Sequence, residues 1–437
     1  MFDTDPFRLD REIARVADAQ QRWCRRLRLG DLTARLDPAL SPATSTTALR
    51  KSLTHHDEDL GRALHRWVYR LAERRFLADS HVAVEREFRG RRHAITQPER
   101  VELSLSEIME RVLREAPARE HWFETYMGHA DRLADAVDGF WARRRRWVQE
   151  CEVVPPNVGV QDPKVQEAAQ RFLADSADAF QSLSLHSPSG LLTAALAPHA
   201  QEGWPGRMTH RTVVELVGQP ALLRGLDLTP WDLPARLCPA SFLRALAGFG
   251  AAYCDAAAPQ NVPFVLAHDP YRLRCHTWGA LFGMLPTLTE FFQRRLGLSR
   301  SQARSQVRSV AVAVLIEARA TAHRVLLGGA VLEGKRTLGE AFEGLSQRTL
   351  GLRLPPALGG ALWRVRADEG QRLSGLLLAG AWHRRLRESH DEDWFRNPRA
   401  VEQLRAEAQQ VPETNATAEQ LVEGAGILSR VLAEQLE

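Results

Sequence analysis

A chain of 437 residues can bury a large hydrophobic core, and because single cores stop growing near roughly 250 to 300 residues, more than one lobe is expected. Its 44% hydrophobic and 26% charged residues are typical of a soluble protein, and no apolar run approaches the roughly 18 to 20 residues that a membrane span requires. The net charge of +4 comes from 58 basic and 54 acidic residues that are interspersed, which indicates a preference for arginine more than a surface for nucleic-acid phosphates.

The N-terminus and the cysteines bear on the cellular compartment. The opening residues Met1–Arg8 include carboxylates where a secretory signal would be positively charged, and no apolar segment follows them. The 5 cysteines show no CxxC spacing, which argues against a disulfide framework and against a cysteine-type zinc site. The sequence therefore predicts a cytoplasmic protein without a membrane segment, and we expect neither a metal nor another cofactor.

Apolar residues in the first third of the chain recur with helical spacing. Amphipathic helices are predicted from Asp10 to Leu29 and from Asp57 to Phe76, and a long helix from about Ala118 to Glu150. Ser104 precedes Glu107 by three residues, which is the pattern of a capping box at the start of a further helix.

A break follows at Pro155-Pro156-Asn157, and the next helix is predicted to start with Asp162 as its N-cap and Pro163 in its first turn. Prolines end helices because they lack a backbone N–H and clash with the preceding turn. We therefore predict two helical lobes, residues 1–155 and 156–437, with a possible cleft between them.

The second lobe is also predicted to be helical, so the expected fold class is all-α. Its most apolar element runs from Ser299 to Leu327; the β-branched residues in Val310–Ile316 would also suit a strand, but the polar periodicity on both sides favours one long helix. Gly328–Gly360 is rich in glycine and proline and is expected to wrap the surface. The other predicted helices are Thr209–Val217, Ser241–Ala257, Leu362–Glu388, Pro398–Gln409 and a last helix capped by Thr417.

The segment Pro263–Leu285 mixes polar and apolar residues, which is typical of a place where a core meets a site. A proline follows His268 and Asp269, so these residues are predicted on a turn or a helix entrance, where Asp269 would serve as a cap. Arg274 and His276 follow at the start of an apolar helical run. For His276, a hydrogen-bonded core histidine is the common alternative to a binding role.

Two further polar groups lie near predicted helices. Glu317 and His323 follow the most apolar run, but six residues place them about 120° apart on a helix, too far round to share a metal. Asp368, Glu369 and Arg372 lie near the start of another helix, where carboxylates interact favourably with the helix dipole. A buried ion pair with the arginine is an equal alternative.

No catalytic or cofactor motif of high specificity is present. The zinc motif HExxH, its reversed form HxxEH, the nucleophile motif GxSxG and a GxGxxG motif after a strand are all missing. Gly329–Arg336 approaches a phosphate-binding loop, but Arg336 stands where a magnesium-binding Ser or Thr is needed. We interpret that match as chance.

Five segments carry a resemblance to a known family: Val84–His93, Leu103–Ile108, Ala118–Tyr126, Ala367–Leu373 and Asp393–Pro398. The first three are similar to a strand-like insert and the two helices after it in the helical metallopeptidases of the oligoendopeptidase F and thimet oligopeptidase group. The last two resemble the closing helices of those enzymes. The resemblance implies an elongated all-helical body with a channel between its lobes.

In that register the zinc-binding helix of the family would fall near Cys275–Leu285. Only His276 matches; Thr277 stands where the catalytic glutamate belongs, and Ala280 where the second histidine belongs. Glu317 is the best candidate for the downstream ligand, at a spacing that does not fit well. The resemblance therefore implies a lost metal site and a pseudoenzyme.

These observations predict a non-catalytic protein that binds a peptide or another protein chain in the cleft. One alternative is an enzyme in which a His/Asp/Glu set in the same cleft acts as acid and base. Another is nucleic-acid binding by Arg143–Arg146, which lies between Trp141 and Trp147; a solvated helix face with inward tryptophans explains that run more simply, so no nucleic-acid partner is expected. The predicted binding residues are His268, Asp269, Arg274, His276, Glu317 and His323.

Overall fold

The structure is a computed structural model. It describes residues 6–36, 44–45, 48, 52, 59–96, 100–151, 159–196, 204–206, 208–209, 211, 237–334, 336–361, 366 and 368–437. Over these ranges the chain forms 19 α-helices and one two-stranded antiparallel hairpin, which confirms the all-α prediction. The predicted helix Thr209–Val217 lies almost wholly outside the described residues.

The first part of the chain follows the predicted helices with one difference. The single helix expected over Ala118–Glu150 is divided at Ala130, whose backbone N–H bonds to the carbonyl of Met127 and so tightens the turn. The predicted capping box is confirmed, because the side chain of Ser104 accepts from the backbone N–H of Glu107 and the Glu107 carboxylate accepts in return. The elements are α1 (Pro6–Arg28), α2 (Asp59–Phe76), α3 (Ala78–Glu85), β1 (His93–Ile95), β2 (Val101–Leu103), α4 (Leu105–Arg114), α5 (Arg119–His129) and α6 (Asp131–Glu150).

The rest of the chain is helical at nearly every predicted position. No helix within the described ranges has both the length and the apolar character needed to cross a membrane. The elements are α7 (Pro163–Asp175), α8 (Ala177–Gln181), α9 (Pro188–Leu196), α10 (Pro239–Ala256), α11 (Phe264–Ala267), α12 (Leu273–Gly283), α13 (Thr289–Leu296), α14 (Arg300–Leu332), α15 (Leu338–Leu350), α16 (Pro356–Ala361), α17 (Glu369–His390), α18 (Pro398–Ala408) and α19 (Ala418–Leu436).

Helix α14 settles two expectations about its region. Val310–Ile316 is helical, which excludes the strand alternative. The expectation that Gly328–Gly360 wraps the surface is wrong, because its first residues continue α14 and α15 follows. The glycines serve helix packing there: a Cβ on Gly328 would lie 3.0 Å from the side chain of Val160.

The largest hydrophobic core contains residues from both sides of the predicted lobe boundary. Trp122 and Trp141 before the boundary and Phe172 and Leu315 after it are buried in this one cluster. A smaller core joins α1 and α2 to Val265. The division into lobes 1–155 and 156–437 stays a prediction.

Close backbone contacts fix α12 between α10 and α17. A Cβ on Gly250 would lie 2.4 Å from the carbonyl oxygen of Trp278, so α10 and α12 touch through the glycine. A Cβ on Gly375 would lie 2.7 Å from the Cβ of His276, so α17 approaches α12 equally closely at that histidine. The position of His276 relative to α17 is therefore set by helix packing.

Candidate functional site

The segment before α12 is held in place by the first two helices. The Asp10 carboxylate accepts hydrogen bonds from the backbone N–H groups of Phe264 at 3.1 Å and Val265 at 2.8 Å. The indole of Trp67 donates to the backbone carbonyl of His268 at 2.9 Å. The predicted turn before α12 is thus held by hydrogen bonds with residues that are distant in sequence.

Asp269 has the capping role that was one of its sequence interpretations. Its carboxylate accepts from the backbone N–H groups of Tyr271 at 3.3 Å and Leu273 at 3.0 Å, which orients the start of α12. Arg66 on α2 donates to the same carboxylate at 3.0 Å. The guanidinium of Arg70, one turn further along α2, lies over the Tyr271 ring, 5.5 Å from its centroid.

His276 meets a carboxylate that comes from the residue preceding α17. Its Nε2 atom lies 3.1 Å from Asp368 Oδ2, and the two side chains are 23% and 27% exposed. Burial disfavours the charged form of Asp368, but the hydrogen bond and charge interaction with His276, together with Arg372 and Arg366, hold the pKa of Asp368 well below its usual value. Asp368 is therefore an anion that water can reach.

Glu317 and Glu369 share two arginines beside this pair. Glu317 Oε1 accepts from Arg324 Nη2 at 3.1 Å and from Arg372 Nη2 at 3.0 Å. Glu369 Oε1 lies 3.0 Å from Arg324 Nε and 3.4 Å from Arg372 Nη1. Glu369 is fully buried whereas Glu317 is 39% exposed, so the buried ion pair considered from the sequence is formed by Glu369.

Ionisation of Glu317 is secured by the same arginines. Burial opposes its charge, but Arg324 and then Arg372 outweigh burial and lower the pKa of Glu317. We call this group of ion-paired residues the Asp368 cluster. It consists of His276, Glu317, Arg324, Asp368, Glu369 and Arg372.

Two arginines close to this cluster have no carboxylate partner of their own. Burial and the nearby charge of Arg70 lower the pKa of Arg74 to about 10, and Asp368 acts on Arg74 in the opposite direction. Repulsion by Arg372, followed by partial loss of hydration, lowers the pKa of Arg366 to about 10 although its side chain is exposed. Within the described ranges, neither Arg74 nor Arg366 forms an ion pair, and both remain cationic at neutral pH.

His323 lies on the same helix as Glu317 but does not reach the Asp368 cluster. Its side chain is fully buried, with Nδ1 2.7 Å from the hydroxyl of Thr349. Burial, reinforced by Arg324, lowers the pKa of His323 to about 3, so this imidazole is neutral. His323 and Glu317 lie in different environments because, as the helical spacing predicts, their side chains leave α14 in different directions.

Two more of the predicted site residues serve local structure. Arg274 donates to the backbone carbonyls of Gln410 at 2.6 Å and of Glu407, so it anchors the end of α18. The ring of His268 packs on Phe264 with 4.7 Å between centroids, and burial lowers the pKa of His268. Of the six predicted residues, the structure therefore brings His276 and Glu317 into the Asp368 cluster.

The basic run on α6 is divided between core and surface. Trp141 and Trp147 are buried, as the simpler interpretation of this run predicts. Arg144 is buried as well, and its Nε donates to Glu73 at 2.8 Å. Arg143 lies over the ring of Phe76, 5.0 Å from its centroid.

Comparison with known proteins adds little to this geometry. No family model matches the chain, and no curated protein matches it. One solved structure, from Chlamydophila abortus and described as a "putative peptidase", aligns with a TM-score of 0.48 and 10% identity over 90% of this chain and 81% of that one. Another, Trypanosoma cruzi metallocarboxypeptidase 1, aligns with a TM-score of 0.43 and 13% identity over all of both chains. Likeness at this level supports no conclusion about this chain.

The residues around His276 do not form the zinc site of the family that the sequence resembles. The Nε2 atom of His276 is engaged by Asp368, and the hydroxyl of Thr277 donates to the backbone carbonyl of Leu273 at 3.0 Å. Ala280 offers no ligand atom. Across the part of the chain that the structure describes, no three His, Cys, Asp or Glu side chains lie together in a group that could hold a metal ion.

Proposed function

We propose that this protein is a metal-independent, non-catalytic binding protein that holds a peptide, or a segment of another protein chain, against the Asp368 cluster. The cleft would lie between α2 on one side and the ends of α12 and α17 on the other. The observation that supports it most directly is the exposure of Glu317, Asp368 and Arg372, which are 39%, 27% and 21% exposed although they form ion pairs. Their polar atoms are therefore within reach of a ligand that arrives from solvent.

A peptide suits this cluster because its backbone carries both donors and acceptors. The carboxylates of Glu317 and Asp368 accept hydrogen bonds from backbone N–H groups, and guanidinium groups such as that of Arg372 donate to backbone carbonyls. Polar groups that converge from distant parts of a sequence onto a solvent-reachable surface are a common feature of binding sites. Here they come from α12, α14 and α17.

Peptide binding is tested with a degenerate pool of short, fluorescently labelled peptides and measurement of fluorescence anisotropy. We expect saturable binding, and we expect Glu317→Gln to weaken it roughly tenfold, because the variant loses a charged acceptor. The matched control is Arg430→Gln on the exposed face of α19, where the guanidinium donates to the carbonyl of Gly426 within its own helix and forms no ion pair with any described residue. Equal affinity of wild type and Glu317→Gln would contradict the proposed site.

Metal analysis and a peptidase assay test the non-catalytic part of the proposal. We expect no stoichiometric metal and no turnover of the peptide pool. Stoichiometric zinc would contradict metal independence, and cleavage that a chelator abolishes would show that the protein is a metallopeptidase.

The contact between His276 and Asp368 favours one other candidate, an enzyme that uses His276 as a general base. A carboxylate bonded to one ring nitrogen fixes the imidazole orientation and leaves the other nitrogen for proton transfer. His276→Gln distinguishes the two functions. A binding protein would lose affinity only, whereas an enzyme would keep most of its affinity and lose turnover.

A further inference from the structure

We infer that the ligand is an acidic peptide, whose side-chain carboxylates pair with Arg74 and Arg366. This inference rests on the peptide-binding function proposed above and adds the chemical class of the ligand. It follows from the charge balance around Asp368, from the positions of the two arginines and from their access to solvent.

The carboxylates near the cluster already have partners within the protein. Asp368 is engaged by His276, and Glu317 and Glu369 share Arg324 and Arg372. Further out, Asp255 pairs with Arg272 at 2.9 Å, and Glu73 with Arg70 at 2.5 Å and Arg144 at 2.8 Å. Among the described residues, by contrast, Arg74 and Arg366 form no ion pair, and a ligand that brings carboxylates would supply a close partner to each.

The two arginines belong to different elements, and the charge of each interacts with that of Asp368. Arg74 lies on α2, one helical turn beyond Arg70, whose guanidinium rests on the ring of Tyr271 just before α12. Arg366 precedes α17 and is anchored by its backbone carbonyl, which accepts from the N–H of Glu369 at 3.3 Å. A peptide with acidic side chains could therefore contact α2 and the start of α17 at once.

The physical state of both arginines favours such a ligand. Arg366 is exposed and Arg74 is half-buried, so water, and hence a ligand, reaches both. Each guanidinium stays charged at neutral pH despite partial loss of hydration or repulsion from its neighbours. A carboxylate that pairs with the guanidinium would offset both the lost hydration and the repulsion, and its two oxygens can accept from two N–H groups of the guanidinium.

The test compares labelled peptides that are equal in length and amidated at the C-terminus. One carries repeated Glu, the second carries Gln at the same positions, and a third is the Gln peptide with a free C-terminal carboxylate. We expect the Glu peptide to bind roughly tenfold more tightly than the amidated Gln peptide, with a preference that shrinks as salt is raised.

Variants locate this preference on the structure. Arg74→Gln and Arg366→Gln should each weaken binding of the Glu peptide roughly tenfold and leave the amidated Gln peptide unchanged, while Arg74→Lys should keep part of the preference. Arg430→Gln is the matched control and should change nothing. If Arg74→Gln fails to fold, the exposed Arg366 carries the test alone.

Each result separates the inference from the proposed function. Equal binding of Glu and Gln peptides overturns the acidic class and leaves peptide binding intact. Preference for the free C-terminal carboxylate over the Glu peptide also overturns the inference, because the anion then comes from the chain end. Absence of binding to any of the peptides overturns both.

Discussion

Two carboxylates of this protein lie near arginines but differ in their exposure to solvent. Glu73 lies on α2 between Arg70 and Arg144, and its side chain is 2% exposed. Asp368 lies beside His276 near Arg372, and its side chain is 27% exposed. Glu73 and its two arginines are buried inside the protein, whereas Asp368 is open to water.

The difference separates an ion pair that holds the fold from one that is available to a ligand. Burial opposes the charge of Glu73, yet Arg144 and Arg70 outweigh it and lower its pKa to about 2. Through this buried carboxylate α2 is tied to α6. Residue type alone therefore does not mark a site; access and charge balance do.

The largest expected effect follows from removal of the buried carboxylate of Glu73. Glu73→Gln should reduce the free energy of unfolding by about 3 to 5 kcal/mol, because Arg70 and Arg144 would keep buried charges without a counterion. Urea unfolding measures this change. The control Glu434→Gln, on the exposed face of α19, should change stability by less than about 0.5 kcal/mol. Equal effects of the two substitutions would show that the Glu73 ion pair does not stabilise the fold.

The next effect concerns the close contact between α12 and α17 that holds His276 beside Asp368. Gly375→Ala should destabilise the protein by about 1 to 3 kcal/mol and weaken peptide binding, because the added Cβ would force α17 away from α12 at His276. Thermal unfolding and the anisotropy titration measure both. Gly248→Ala on α10, where an added Cβ meets nothing within 4 Å, should stabilise the helix by up to about 1 kcal/mol.

Acid sensitivity should come from sealed polar groups such as His323. Its pKa is about 3 in the folded protein and 6.5 without the fold, so between those values the unfolded chain binds a proton that the native imidazole excludes. Stability therefore falls as pH drops below 6.5, by about 1 kcal/mol over the first pH unit and by a slope that approaches about 1.4 kcal/mol per unit further down. His323→Gln should flatten the fall measured by urea unfolding between pH 6.5 and 5.5, and an unchanged slope would contradict the assignment.

The smallest effect on stability is expected at Asp368, the carboxylate that water can reach. Asp368→Asn should reduce the free energy of unfolding by less than Glu73→Gln does, because the Asp368 side chain is 27% exposed whereas that of Glu73 is 2% exposed. At the same time the preference for the Glu peptide over the Gln peptide should rise, since the variant removes a negative charge beside the proposed ligand carboxylates. A loss of stability as large as that of Glu73→Gln would mean that Asp368 is structural.

Local signals in the sequence predicted the helices and several of their ends. Asp162 accepts from the backbone N–H of Lys164, and Thr417 closes a capping box with Gln420, both as their spacing indicates. Such caps involve residues within a few positions of each other, so one stretch of sequence contains the whole interaction. The helical class follows from the same short-range periodicity.

The candidate site could be predicted only in part, because its contacts join distant residues. His276 and Glu317 were identifiable as polar residues in apolar surroundings, but Asp368 is 92 residues from its partner and Arg372 is 55 residues from Glu317. Arg74 gave no signal, since an arginine at the end of an amphipathic helix is usually solvated. Spacing in sequence cannot show which charges the fold leaves without a partner.

The hydrogen bonds from Phe264 and Val265 to Asp10 bear on how the chain assembles during synthesis. Acceptor and donor are separated by 254 and 255 residues, so α1 cannot take its final place until more than half of the protein has left the ribosome. Contacts that close such long loops slow folding, and they leave the emerging N-terminal helix open to chaperones in the meantime. Truncated translation products that end before residue 264 should therefore expose α1 to proteases.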